Sequence, residues 1–147
     1  MKDCIFCKII SGKSLCWKVY EDDLVIAFFD KFPAVEGHTI IAPKKHFESI
    51  YDIPDKYLER IAKICKKLAI HYKKALGIKA INIIHGSGKE AQQDVFHFHF
   101  HIIPRKDAQN DNFKMHYDPK DEEISKNFNL ILKKIKDHPD FKKIKKE

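Results

Sequence analysis

Val95-Phe96-His97-Phe98-His99-Phe100-His101-Ile102-Ile103-Pro104-Arg105 decides how the rest of the chain is read. Histidine alternates with phenylalanine and isoleucine at a strict period of two. That is the period of a β-strand, and it predicts three imidazoles on one face with apolar side chains on the other. One metal cannot take all three. At roughly 3.3 Å per residue, His97 and His101 stand about 13 Å apart along a strand. Zinc–nitrogen bonds reach only about 2.1 Å. A division of labour among the three histidines is more economical than a shared ion or a merely structural cluster.

Working outward, the polar loop Gly86 to Asp94 delivers Gln93 and Asp94 next to His97 and His99. Its Gly-x-Gly is too short for a dinucleotide fingerprint, which needs a βαβ context. Ala80 to His85 reads as the preceding strand. Earlier strand candidates are Cys16 to Tyr20, Leu24 to Phe29 and His38 to Pro43, with Glu21-Asp22-Asp23 as a turn. Short linked strands of this kind argue for an antiparallel sheet. Pro54 to Leu76 predicts one long helix. Leu58, Ile61, Ala62, Cys65, Leu68, Ala69, Tyr72 and Leu76 recur at three- and four-residue steps, and the lysines lie off that stripe. Pro54 suits its start and Gly77 its stop. Asp118-Pro119 can open a last helix carrying Ile124, Phe128, Ile131 and Ile135 on one side. The expected fold is α+β: an antiparallel sheet of about five strands, one long helix and a C-terminal helix.

At 147 residues the chain is long enough for one domain with a real core. No apolar run approaches the ~20 residues of a membrane span. The N-terminus has no signal-peptide pattern, so a cytoplasmic location is expected. The formal charge is +7, and the last fifteen residues hold seven lysines and three acids. A basic excess concentrated in a tail argues against a nucleic-acid partner and leaves a body suited to a phosphate-bearing small molecule. Cys4-x-x-Cys7 has three readings: a redox pair, half of a zinc site, or two buried thiols. A thioredoxin-like pair would follow a strand, whereas this one begins the chain.

His97-Phe98-His99-Phe100-His101-Ile102-Ile103 resembles the histidine-triad motif of the HIT family of nucleotide hydrolases and transferases. Pro104-Arg105 after it suits the bacterial type. The resemblance covers roughly Cys4 to Arg105, a core (4–105) within a single HIT domain, with 106–147 as a C-terminal extension. It implies a structural Zn(2+) on Cys4, Cys7, His97 and His46, the last in Pro43-Lys44-Lys45-His46. It implies His99 as a nucleophile toward an α-phosphorus, through a covalent nucleotidyl-histidine. His38 would fix the tautomer of His99, and His101 would donate to phosphate oxygens. Asp30 would take the ribose hydroxyls, Ile5, Phe6, Ile9 and Phe28 the base, and Gln93 a phosphate. Gly86 stands where Asn is frequent, so a ribose or phosphate hydrogen bond is either lost or supplied by Ser87. Gln92 stands for Gly, Asp94 for Ser, and Lys31 for an apolar residue. The implied ligand is a purine nucleotide or nucleotide conjugate, such as a nucleoside 5′-phosphoramidate. A dinucleoside polyphosphate hydrolase and a catalytically weak binding module are the alternatives. A homodimer with joined sheets is implied as well.

Overall fold

The computed structural model describes residues 3–107 and 128–141. The chain forms two compact units, Met1–Lys114 and Met115–Glu147. In the first, helix α1 (Ile5–Ile10) precedes strands β1 (Lys18–Glu21), β2 (Val25–Phe29) and β3 (Thr39–Pro43). Helix α2 (Asp55–Ala75), β4 (Ala80–Ile84), a 3₁₀ turn (Lys89–Ala91) and β5 (Phe100–Arg105) follow. The sheet is antiparallel with strand order β1-β2-β3-β5-β4. This agrees with the expected five-stranded α+β architecture. In the second unit, α3 (Phe128–Asp137) carries Phe128, Ile131 and Ile135; the expected opening at Asp118-Pro119 and Ile124 lie outside the described residues.

The sheet is covered on both faces, which is why β2 and β3 read as unbroken apolar runs rather than as alternating ones. Val25, Ala27, Ile41 and Ile102 face α2, where Ile61, Ile64, Cys65, Leu68 and Tyr72 form the apolar stripe. Each large aliphatic side chain buried there contributes about 1.5–3 kcal/mol. Burial pushes the Cys65 thiol up to about 12, so it is an inert core thiol. Ile26, Phe28, Ile40 and Ala42 face the other way, toward Phe6 of α1. The helix α2 begins after Pro54 and stops at Gly77, whose φ of +64° most side chains avoid. Asp22 ties the β1–β2 turn to α2. Burial works to raise its carboxyl, but hydrogen bonds from the Val25 and Leu24 amides, Arg60 and Tyr20 hold it down at about 2.

The histidine stretch departs from the single strand that its alternation predicts. β5 begins only at Phe100, so His101 alone lies in the sheet. Before it the backbone bends. The His97 amide donates to Val95 O, and the Phe98 amide reaches across to Phe47 O instead of a neighbouring strand. The bend turns His97 away from His99 and His101.

Candidate functional site

Two clusters result. In the first, the Cys4 Sγ lies 3.5 Å from His97 Nδ1, and the Cys7 Sγ 3.4 Å from His46 Nδ1 and 3.6 Å from His97 Nδ1. The two Nδ1 atoms are 3.2 Å apart. Tetrahedral zinc with ordinary bonds would set its ligands roughly 3.3 Å apart for two nitrogens and roughly 3.6 Å for nitrogen and sulfur. The four donors therefore have the spacing of a closed four-coordinate site. The tautomer agrees. Pro43 O can only accept, so His97 Nε2–H donates to it at 2.8 Å and leaves Nδ1 bare toward the thiols. Burial pushes the His97 imidazole down to about 4, which keeps that lone pair free. Burial, and after it the hydrogen bond with Cys4, raise the Cys7 thiol; a bound cation would offset both.

In the second cluster a chain of imidazoles has its protons fixed by the backbone. The Ala34 amide donates to His38 Nδ1 at 3.1 Å, so neutral His38 carries its proton on Nε2. Nε2–H then donates to His101 Nδ1 at 2.8 Å, with Asp30 Oδ2 at 3.6 Å. His101 Nε2–H in turn donates to His99 Nε2 at 3.1 Å, and His99 Nδ1–H to His97 O at 2.7 Å. Only one assignment satisfies every partner, and it leaves His99 Nε2 without a proton. The neutral forms are favoured. Burial lowers His38 and His99 and pushes His101 down to about 4, against the charges of Asp30 and Asp94. Asp30, His38 and His101 are close enough to suggest a second metal set. The Ala34 amide argues otherwise, because it occupies Nδ1 and forces the proton onto the nitrogen a metal would need.

A cavity of about 750 Å³ opens onto this chain, within the range of small-molecule sites. Ile5, Phe6, Ile9, Phe28, Asp30, His99 and His101 line it, seven of the residues expected from the sequence. α1 supplies three of them, and Phe6 stands edge-on between the clusters, its ring centre 5.1 Å from His99 and 5.7 Å from His97. His38 stands behind His101. Gln93, expected at the phosphate, and Ser87, expected at the ribose or the phosphate, do not line the cavity. The Gln93 amide donates to Glu48 O and Val95 O, and its oxygen accepts from the Gly88 amide, so the side chain braces the loop. Ser87 accepts from the Ile50 amide and bonds His85 Nε2.

The sequence reading missed His85, whose Nδ1–H donates to His99 O at 2.8 Å from outside the cavity. It also missed the rim formed by Leu15, Trp17 and Phe32. The loop departures have local causes. A Cβ at Gly86 would lie 2.4 Å from Ala91 O, so no larger residue fits there without a shift. Gln92 keeps φ at +61°, a left-handed conformation that Gly holds at less strain.

The HIT domain matches residues 12–108. The adenosine 5′-monophosphoramidase of Saccharomyces cerevisiae is 42% identical over 104 residues, 71% of this chain and 63% of that protein. A crystal structure of a HIT family protein from Bacillus anthracis superposes with a TM-score of 0.81 at 37% identity, covering 90% of this chain and 94% of that one. A zinc-bound histidine triad family protein from Mycobacterium smegmatis gives 0.73 at 30% identity, covering 91% and 96%.

Proposed function

This chain belongs to the HIT family, and from that premise we propose that it is a nucleotide hydrolase acting at the α-phosphorus of nucleoside 5′-phosphoramidates and related conjugates. One observation carries the reading: the backbone-directed proton chain leaves His99 Nε2 as a bare lone pair in the cavity that Asp30 also lines. The kinship with a phosphoramidase supports the substrate class.

In the proposed reaction the nucleoside base sits among Ile5, Phe6, Ile9 and Phe28, and Asp30 accepts hydrogen bonds from the ribose hydroxyls. Arrival of substrate turns His101 Nε2–H from His99 to a phosphoryl oxygen, where it stabilises developing charge. His99 Nε2 forms a bond to phosphorus. The P–N bond breaks with its electron pair on nitrogen, which takes a proton from solvent. Water then attacks the nucleotidyl-imidazole, releases the nucleotide and returns that proton. His38 holds His101, the His97 carbonyl holds the His99 ring in its tautomer, and His85 anchors the His99 main chain through its carbonyl.

Cys4, Cys7, His46 and His97 would hold zinc, which the donor spacing and the His97 tautomer support. Bound there it supplies cross-linking of α1 to the central segment, with no open position for substrate. The edge strand β4, with Ile83 half exposed, is the proposed joining edge of a homodimer; sedimentation equilibrium should return the dimer mass, and a monomer at micromolar concentration would remove that part of the reading. For the activity, incubation with adenosine 5′-phosphoramidate should release AMP and ammonia at catalytic rates. Tight nucleotide binding without turnover would make the chain a binding module instead.

A further inference from the structure

The cavity's charges are unusual for a site that holds phosphate. Three lining side chains other than histidine are ordinarily charged at neutral pH, Asp30, Lys31 and Asp94. Lys31, the one cation among them, has its ammonium 5.6 Å from the centre of the Phe32 ring. Asp30 lies beside His38. Asp94 stands on the loop leading into the histidine segment. Its Oδ1 accepts from the Val95 amide, and among the described residues no lysine or arginine forms an ion pair with it. Asp94 lines the same cavity as His99 and His101, so it faces the proposed point of attack. His101, which would meet the phosphate, is favoured in its neutral form, since burial lowers it. An uncompensated carboxylate there repels any leaving group that is itself an anion and attracts one that carries a cation.

We propose that Asp94 selects the leaving group by charge, so that the preferred substrates are nucleoside 5′-phosphoramidates of amines bearing a second, positively charged group. The inference rests on the hydrolase reading above. It ranks leaving groups in the order cationic, neutral, anionic, and it places sulfate- and polyphosphate-linked nucleotides at the bottom. Because Asp94 is exposed, the discrimination is partly screened by solvent and should fall with added salt.

The test uses the full chain and three adenosine 5′-phosphoramidates of similar length, made from 1,3-diaminopropane, butylamine and β-alanine. At low ionic strength kcat/KM should fall by about two- to fivefold from the cationic to the neutral conjugate and again to the anionic one. Asp94→Asn should compress the series, and Asp94→Lys should invert it. Ratios are taken within each variant, so a change in folded fraction cancels. Salt at 0.5 M should shrink the wild-type ratios toward one. Turnover of all three at similar rates would leave the hydrolase intact and overturn charge selection, as would a wild-type series retained in Asp94→Asn. No turnover of any conjugate would overturn the hydrolase reading itself, and this inference with it.

Discussion

His97 and His99 are two residues apart and both buried, yet the fold gives them opposite chemistry. His97 donates Nε2–H to Pro43 O and presents Nδ1 to two thiols and a second imidazole. His99 donates Nδ1–H to His97 O and presents Nε2 to the cavity's proton chain. One carbonyl in each case decides which nitrogen stays bare. Phe6 stands between the two sites, its ring at a steep angle to each imidazole. Identical side chains in a repeating pattern thus present different bare nitrogens, Nδ1 toward the thiols and Nε2 toward the cavity, because the backbone around them differs.

The sharpest way to break this comparison is to remove one member at a time. His99→Ala should lower turnover by about four powers of ten, with zinc content and thermal midpoint near wild type. Cys4→Ala should do the reverse: loss of the metal and on the order of a few kcal/mol of stability, with turnover retained in the fraction that stays folded. Metal analysis, calorimetry and steady-state kinetics on both variants check this. If the two variants lose zinc and turnover in parallel, the clusters are not separate in function.

A smaller effect is expected at Asp30. Hydrogen bonds to a charged acceptor contribute about 1.5–3 kcal/mol, so Asp30→Ala should weaken adenosine nucleotide binding by about one to two orders of magnitude. A 2′,3′-dideoxy analogue should lose much less. Equal losses by calorimetric titration would place the ribose elsewhere.

The proton chain also predicts a pH dependence of stability. His101 is held at about 4 in the folded chain, below its ordinary 6.5, by burial and then by His99 and His38, with Asp30 and Asp94 opposing. The unfolded chain therefore binds a proton first as pH falls. The contribution to stability is complete above pH 6.5 and is lost as pH drops from 6.5 toward 4. His101→Gln should show a shallower decline across that window in denaturant titrations; an unchanged slope would mean that His101 is not held neutral by the fold.

The smallest effect belongs to the loop. Gln92→Gly should stabilise the chain by up to about 1 kcal/mol, because Gly relieves the left-handed backbone while giving back part of the gain in chain entropy. A measured loss of stability would show that the Gln92 side chain contributes more than its strain costs.

Much of this was legible in the sequence. The α2 stripe and the apolar runs of β2 and β3 gave the core because their spacing reflects burial directly. The alternation from Val95 to Arg105 misled about the strand while pointing correctly to three distinct histidines. The His97 and Phe98 amides bond to Val95 O and Phe47 O rather than to a neighbouring strand, which the alternation alone does not reveal. Helix α1 was invisible because six residues with no side-chain cap leave no periodic signal. His85 was missed because its partner is a main-chain carbonyl, which no sequence pattern encodes. Gln93 and Ser87 came from the family resemblance rather than from any pattern in the chain, and in the structure their hydrogen bonds brace the loop.

The central claim is that His99 Nε2 carries the nucleotide during turnover. Quenching the reaction in alkali, where a phosphoramidate bond survives, and mapping peptides by mass spectrometry tests it most directly. The account predicts a nucleotidyl group on the peptide containing His99 in the wild-type protein and none in His99→Ala. An adduct on another residue, or most of the activity retained in His99→Ala, would contradict it.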